Sequence, residues 1–225
     1  MRSKIKSQGS APLFSIYCGL ILSICMMPFV YYIDAQTYRN VVREDHWAEY
    51  ATALSLMFGG FIILYRLFIN WKAIRFQVKL GFVMMALTMF VGFGEEISWG
   101  QRIFKLQSPD FFTDYNLQNE TNIHNLKILG IKLNQWVFTY GMLVVFIIYF
   151  SLPYWINKQR FVRKMIDRYG LYIPKRSHSL VFLLATLLIH FYPVPKVSEL
   201  WELSFAITML MVIIQARNQD QTNTH

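Results

Sequence analysis

Cysteine is almost missing from this chain. Cys18 and Cys25 are the only two in 225 residues, and both lie in the first apolar run. With no cysteine in a connecting segment, a disulfide framework and a thiolate metal site are both excluded. Buried free cysteine acts as a small hydrophobe. Charge is scarce too, at 16% of residues, where soluble domains carry about 25%. Internal repeats, linkers and low-complexity tracts are not found, so residues 1–225 read as one continuous domain. What fills the chain instead is apolar: 55% hydrophobic residues and 17% aromatic ones. No soluble core of this size needs so much apolar surface, whereas a helical membrane protein does, with Trp and Tyr favoured at the headgroup level. The formal charge of +9 does not argue for nucleic acid, because no basic stripe is free of flanking apolar spans. Membrane lipids are the partners this composition implies.

Six apolar stretches, roughly 13–33, 47–69, 79–100, 133–155, 177–193 and 198–216, predict an all-α bundle of about six transmembrane helices. The first follows Arg2, Lys4 and Lys6, is longer than a signal-peptide core and has no small-residue cleavage site after it, so it reads as a retained helix. With the N-terminus placed in the cytoplasm, the inner segments collect 15 of the 22 Lys and Arg residues. The positive-inside rule then puts both termini inside. Of the acids, only Asp167 and Asp220 fall on the inner side, which concentrates carboxylate chemistry on the outer face. Residues 157–170 alternate basic and apolar side chains at helical spacing and read as an interfacial helix on the inner, anionic leaflet. The outer loop 101–132 is long for a helix connection, and loops of that length are usually functional or carry their own structure.

The sharpest motif is Gly94-Glu95-Glu96-Ile97-Ser98-Trp99-Gly100-Gln101-Arg102. The apolar run before it, 80–94, reaches about 22 Å as a helix, short of the roughly 30 Å hydrocarbon layer. That shortfall predicts that Glu95 and Glu96 sit below the outer surface, where a carboxylate must face protein, water or a partner. Continued helix would place Glu95 with Ser98 and Arg102, and Glu96 with Gly92, Trp99 and Gly100. One acid would be held by Arg102 while the other faces a site. The purely structural alternative is a buried acid–arginine clasp that only orients the loop.

A second motif follows, Asn116-x-Gln118-x-Glu120-x-x-x-His124-Asn125. If helical, it stacks Glu120 and His124 one turn apart and presents a carboxylate and an imidazole together. The bland alternative is a solvated surface helix starting after Ser108-Pro109-Asp110. Glu95, Glu96, Glu120 and His124 are the candidate catalytic residues. Trp99, Gln101, Arg102, Asn116, Gln118 and Asn125 are the candidate substrate contacts, since they supply neutral and cationic groups for a polar ligand. No cofactor is specified; a divalent metal would draw on Glu96, Glu120, His124 and His190. Glu49, Glu199, Glu202 and His190 complete a possible ring around the motif, although acids also favour the first turn of a helix for dipole reasons.

These two motifs, in this order, resemble those of a family of bacterial polytopic membrane proteins of uncharacterised function. The resemblance covers about residues 44–126. It implies a bacterial plasma-membrane location and brings no activity with it. Intramembrane metal hydrolases of the alkaline ceramidase type are a poorer comparison, because they combine three histidines with Ser and Asp, and here only His124, His190 and His46 lie on the outer side.

Three functions fit the pattern. The first is an outer-leaflet hydrolase or transferase acting on a lipid or lipid-linked substrate by general acid/base chemistry. The second is a non-enzymatic assembly factor or complex subunit in which the motif locks the long loop. A transporter is the third, and the absence of acids from the inner half and of an inverted repeat tells against it.

Overall fold

The computed structural model describes residues 10–43, 46–133, 136 and 140–218. Arg2, Lys4, Lys6, Glu44, Asp45, Asp220 and part of the expected span 133–155 lie outside the described residues. The architecture is helical: α1 (Ser10–Ile33), α2 (Ala35–Val42), α3 (Trp47–Ile69), α4 (Phe76–Glu96), α5 (Gln101–Phe104), α6 (Asp110–Tyr115), α7 (Met142–Trp155), α8 (Arg160–Tyr169), α9 (Arg176–His190) and α10 (Val197–Ile214). Against the all-α expectation stands one small exception, an antiparallel hairpin of β1 (Lys127–Ile128) and β2 (Ile131–Lys132) in the long loop.

Among the described residues four apolar segments are long enough to cross a membrane, carried by α1, α2–α3, α4 and α10, while α7 and α9 are shorter apolar helices. Their outward faces keep large apolar side chains exposed, among them Phe58, Phe61, Phe68, Met84 and Leu87. In water such a surface is an association liability; in a bilayer it is the solvated face. Membrane embedding therefore follows from the bundle.

α3 packs most extensively on α4 and α10, because small residues let the backbones close in. A Cβ at Gly59 would stand 2.8 Å from Ile213 Cδ1, and one at Gly60 would stand 2.9 Å from the Phe90 ring. Small residues at helix contacts are the usual device where lipid removes the hydrophobic drive for association. Around α7, α9 and α10 the core is aromatic: Phe146 stacks on Phe205 at 3.7 Å between centroids, and Phe150 on Phe182 at 4.3 Å.

α2 was not expected. Asp34 breaks the chain after α1 and caps it, its Oδ1 accepting from the Gln36 and Thr37 amides. The helix then turns Tyr38 inward, where its hydroxyl donates to the Pro195 carbonyl at 2.7 Å. That bond joins the α1–α2 corner to the start of α10. Within the expected segment 157–170 the chain forms α8, ended by Gly170 in the left-handed conformation. Gly81 lets α8 sit against α4, since a Cβ there would fall 1.9 Å from the Tyr169 carbonyl oxygen.

Candidate polar site at the motif end of the bundle

The run that begins at Gly94 does not continue as a helix. α4 ends at Glu96, and Ser98 (φ 48°), Trp99 (φ 53°) and Gly100 (φ 83°) are all left-handed. Two non-glycine residues in that region are strained, and strain of this kind persists only where surrounding contacts over-determine it. Here Gly94 makes room for the Trp99 indole, since a Cβ would meet it at 2.8 Å. The indole Nε1 then donates to Glu95 Oε1 at 2.8 Å. The turn also buries the Ser98 hydroxyl completely.

This break corrects the helical-face expectation. Among the described residues Arg102 makes no hydrogen bond to the Glu95 or Glu96 carboxylate, although it lies within electrostatic reach of Glu96. It donates to the Glu96 backbone carbonyl at 2.8 Å, to Glu120 Oε1 at 3.0 Å, and to Glu49 of α3. α4 is also longer than the apolar run. Its 21 residues reach about 32 Å, and the loop folded over its end buries Glu95.

That loop is not the second helix expected over 116–125. α6 stops at Tyr115, and the segment closes on itself through an Asn116–Leu126 bridge. Asparagine side chains compete with helix by bonding nearby backbone. Asn116 Oδ1 accepts from the Gln118 and Glu120 amides, and its Nδ2 donates to the Asn122 carbonyl at 2.9 Å. Asn125 Nδ2 donates to Gln118 Oε1. Gln101 pins the loop from α5, accepting from the Thr121 amide at 2.6 Å and donating to the Asn119 carbonyl at 3.3 Å.

Glu120 and His124 therefore do not stack on one face; each meets a different partner. Glu120 is buried, with Oε1 on Arg102 and Oε2 accepting from Ser98 Oγ at 2.8 Å and Asn122 Nδ2 at 2.7 Å. Glu95, only 8% exposed, accepts from the backbone amides of Ile123 at 2.7 Å and His124 at 3.1 Å. The His124 Nδ1 lies 3.4 Å from the same oxygen. Of the candidate catalytic residues, Glu95 is thus brought to His124, and Glu120 to Arg102. Among the candidate substrate contacts, Gln101, Arg102, Asn116, Gln118 and Asn125 are engaged in building the cap. Trp99 keeps about half its surface exposed (53%) while bound to Glu95.

Glu96 behaves differently from its neighbour. Its carboxylate is half-buried and makes no side-chain hydrogen bond among the described residues. It lies within electrostatic reach of Glu199, Glu49, Arg102 and Glu95. Glu202 of α10 is likewise half-buried, likewise without a side-chain hydrogen bond among the described residues, and within reach of Glu96, Glu199 and Glu49. Carboxylates from three helices thus converge beneath the cap. Glu202 stood only in the outer ring of the sequence reading; its i+3 spacing from Glu199 was the available signal, and first-turn dipole preference masked it.

The metal expectation is corrected by the same geometry. Among the described residues no group of three or more His, Cys, Asp or Glu side chains is placed to hold an ion. Both Glu120 oxygens are occupied by donors, His124 lies on Glu95, and His190 is exposed at the last residue of α9.

Compared with protein-family models, with curated proteins and with solved structures, the chain matches none.

Proposed function

We propose that the chain is a multi-pass membrane enzyme, a hydrolase or transferase acting on a lipid or lipid-linked substrate at the outer-leaflet ends of its helices. In this reading all six apolar segments span, both termini are cytoplasmic, and the setting is a bacterial plasma membrane. The Lys and Arg asymmetry supports that orientation, and the motif resemblance supports that membrane.

One observation carries the enzymatic reading. The cap is fastened without the side chains of Glu96 or Glu202, yet those two carboxylates, on α4 and α10, lie within electrostatic reach of each other with Glu49 and Glu199 around them. A scaffold gains nothing from such an arrangement, because like charges in a low-dielectric setting cost free energy. General acid/base catalysis needs a proton donor and a proton acceptor within reach of the same substrate, and in this reading Glu96 and Glu202 supply that pair. His124, oriented through Nδ1 by Glu95 and partly exposed, is the second proton-transfer group. A carboxylate that fixes the imidazole ring in this way is a recurrent arrangement at catalytic histidines. Trp99, exposed beside it, offers an apolar and hydrogen-bonding surface at headgroup depth.

The test is Glu96→Gln in cells, followed by quantification of membrane lipids and lipid-linked intermediates. We expect the variant to reproduce the lipid profile of a deletion strain while keeping wild-type abundance and melting temperature. Unchanged lipids in both the variant and the deletion strain would remove the enzymatic reading. The hydrogen bonds that Glu95, Arg102 and Glu120 make in holding the loop favour a second reading, a non-enzymatic complex subunit or assembly factor whose cap is the docking element. In that case Arg102→Ala, and not Glu96→Gln, would abolish association.

A further inference from the structure

The opposite end of the bundle holds a second polar site, unrelated to the carboxylates. After α7 the chain makes a short 3-10 turn (Ile156–Lys158) and enters α8. The turn and helix carry Lys158, Arg160, Arg163, Lys164 and Arg168 against a single acid, Asp167. α8 presents three stripes. Val162 and Ile166 turn inward onto a small core of Leu152, Ile156 and Ile173. Phe161 and Met165, one turn apart, are exposed and apolar. The remaining stripe is basic. A helix with that division lies along a bilayer surface.

Between this helix and the segment after α10 is a cavity of about 130 Å³. Arg163, Arg217, Asn157 and Asp167 edge it, above Ile156 and Ile173. Its wall is built rather than accidental. Asn218 spends its whole carboxamide on backbone, accepting from the Ile173 amide at 2.9 Å and donating to the Leu171 carbonyl at 2.8 Å. Arg217 is fixed at two points: its amide donates to the Ile173 carbonyl at 2.8 Å and Nη1 to the Pro153 carbonyl at 2.9 Å. Among the described residues its Nη2 and Nε make no hydrogen bond, and the Asn157 side chain makes none either. Arg163 reaches only a loose pair with Asp167, at 3.7 Å and half exposed.

We infer that this cavity binds the phosphate of an anionic lipid headgroup, with Arg217 and Arg163 as the charged donors and Asn157 as the neutral one. A pre-fixed guanidinium with unused N–H groups is the donor that phosphate geometry favours. The apolar stripe of Phe161 and Met165 lies on the same helix, so acyl chains and headgroup are accommodated together. Asp167 is the one opposing charge, and it sits where it also restrains Arg163 when no lipid is bound. The site depends on the membrane setting of the bundle but not on any activity at the other end.

The full chain is reconstituted into vesicles of phosphatidylcholine doped with phosphatidylglycerol and extracted in mild detergent, and retained lipid per chain is counted by native mass spectrometry. Phosphatidylglycerol should be retained in preference to phosphatidylcholine. Arg163→Gln should lower that retention roughly tenfold, the weight of one charge-assisted hydrogen bond. Arg160→Gln removes the same charge from the same helix outside the cavity and should retain lipid as the wild type does. Added inorganic phosphate should leave the lipid in place. Arg217→Gln should behave as Arg163→Gln, and because Arg163 is half exposed and holds no backbone group, its variant decides the matter if Arg217→Gln fails to fold. Equal retention of the two lipids, an equal loss in Arg160→Gln and Arg163→Gln, or displacement by free phosphate would each overturn the assignment, the last by making it a soluble-anion site.

Discussion

The two ends of the bundle solve the problem of polar groups near a membrane in opposite ways. At the motif end, acids from α3, α4 and α10 are gathered under a folded loop, and a single guanidinium, Arg102, ties Glu49, Glu120 and the Glu96 carbonyl together. At the other end, cations dominate and are dispersed. Arg66 donates to the Ile213 and Ile214 carbonyls at the end of α10 and to the Tyr172 hydroxyl. Lys79 lies over the Trp71 ring at 4.4 Å, and Arg176 over Tyr154. Cations there meet helix C-terminal carbonyls and aromatic faces, each a modest and local interaction. At the motif end Glu49 and Glu120 share the one Arg102 guanidinium, and Glu95 relies on the loop's own backbone amides. The lesson is that the acidic end is cooperative and the basic end modular.

That contrast predicts a graded set of responses. Arg102→Ala should be the most damaging, costing about 3–5 kcal/mol because it strands buried acids. Denaturant unfolding in detergent measures it, with proteolysis of loop 101–132 as the local readout; a loss confined to Glu120 contacts would show the end is less cooperative than argued. Next comes Gly81→Ala, which drives a methyl into the Tyr169 carbonyl. It should cost about 1–3 kcal/mol as overpacking and release α8 without loosening the loop, a separation that hydrogen exchange resolves. Glu95→Gln follows at about 1–3 kcal/mol, since the amide must replace an anion that accepts from Trp99 and two backbone amides. Smallest is Glu96→Gln: its melting temperature should equal or slightly exceed that of the wild type, because one like charge is removed and no hydrogen bond is lost. If neighbouring Glu95 and Glu96 variants melt alike, the division between a fastening acid and a working acid fails.

Much of the bundle was legible from hydropathy. The expected spans 47–69 and 198–216 fall on α3 and α10 almost residue for residue, and 157–170 falls on α8. A long apolar run has few alternatives once water is removed from its backbone. The site was legible only as a membership list. Glu95, Glu96, Arg102, Glu120 and His124 all belong to the motif end, but their pairing was misread. Helical periodicity assumes that helix continues, and Ser98, Trp99 and Asn116 each stop it by side-chain bonds that no spacing rule anticipates.

The sequence by itself determined the class of this protein: apolar runs of spanning length, cations at one end and acids at the other follow from transfer free energies that act on each residue independently. Which carboxylate fastens the cap and which stands beside Glu202 was decided only in three dimensions. Hydrogen bonds across 20 or more residues, such as the Ser98 hydroxyl to Glu120 and the Ile123 backbone amide to Glu95, depend on a chain reversal at residues 98–100 whose cost is met by contacts from the whole loop.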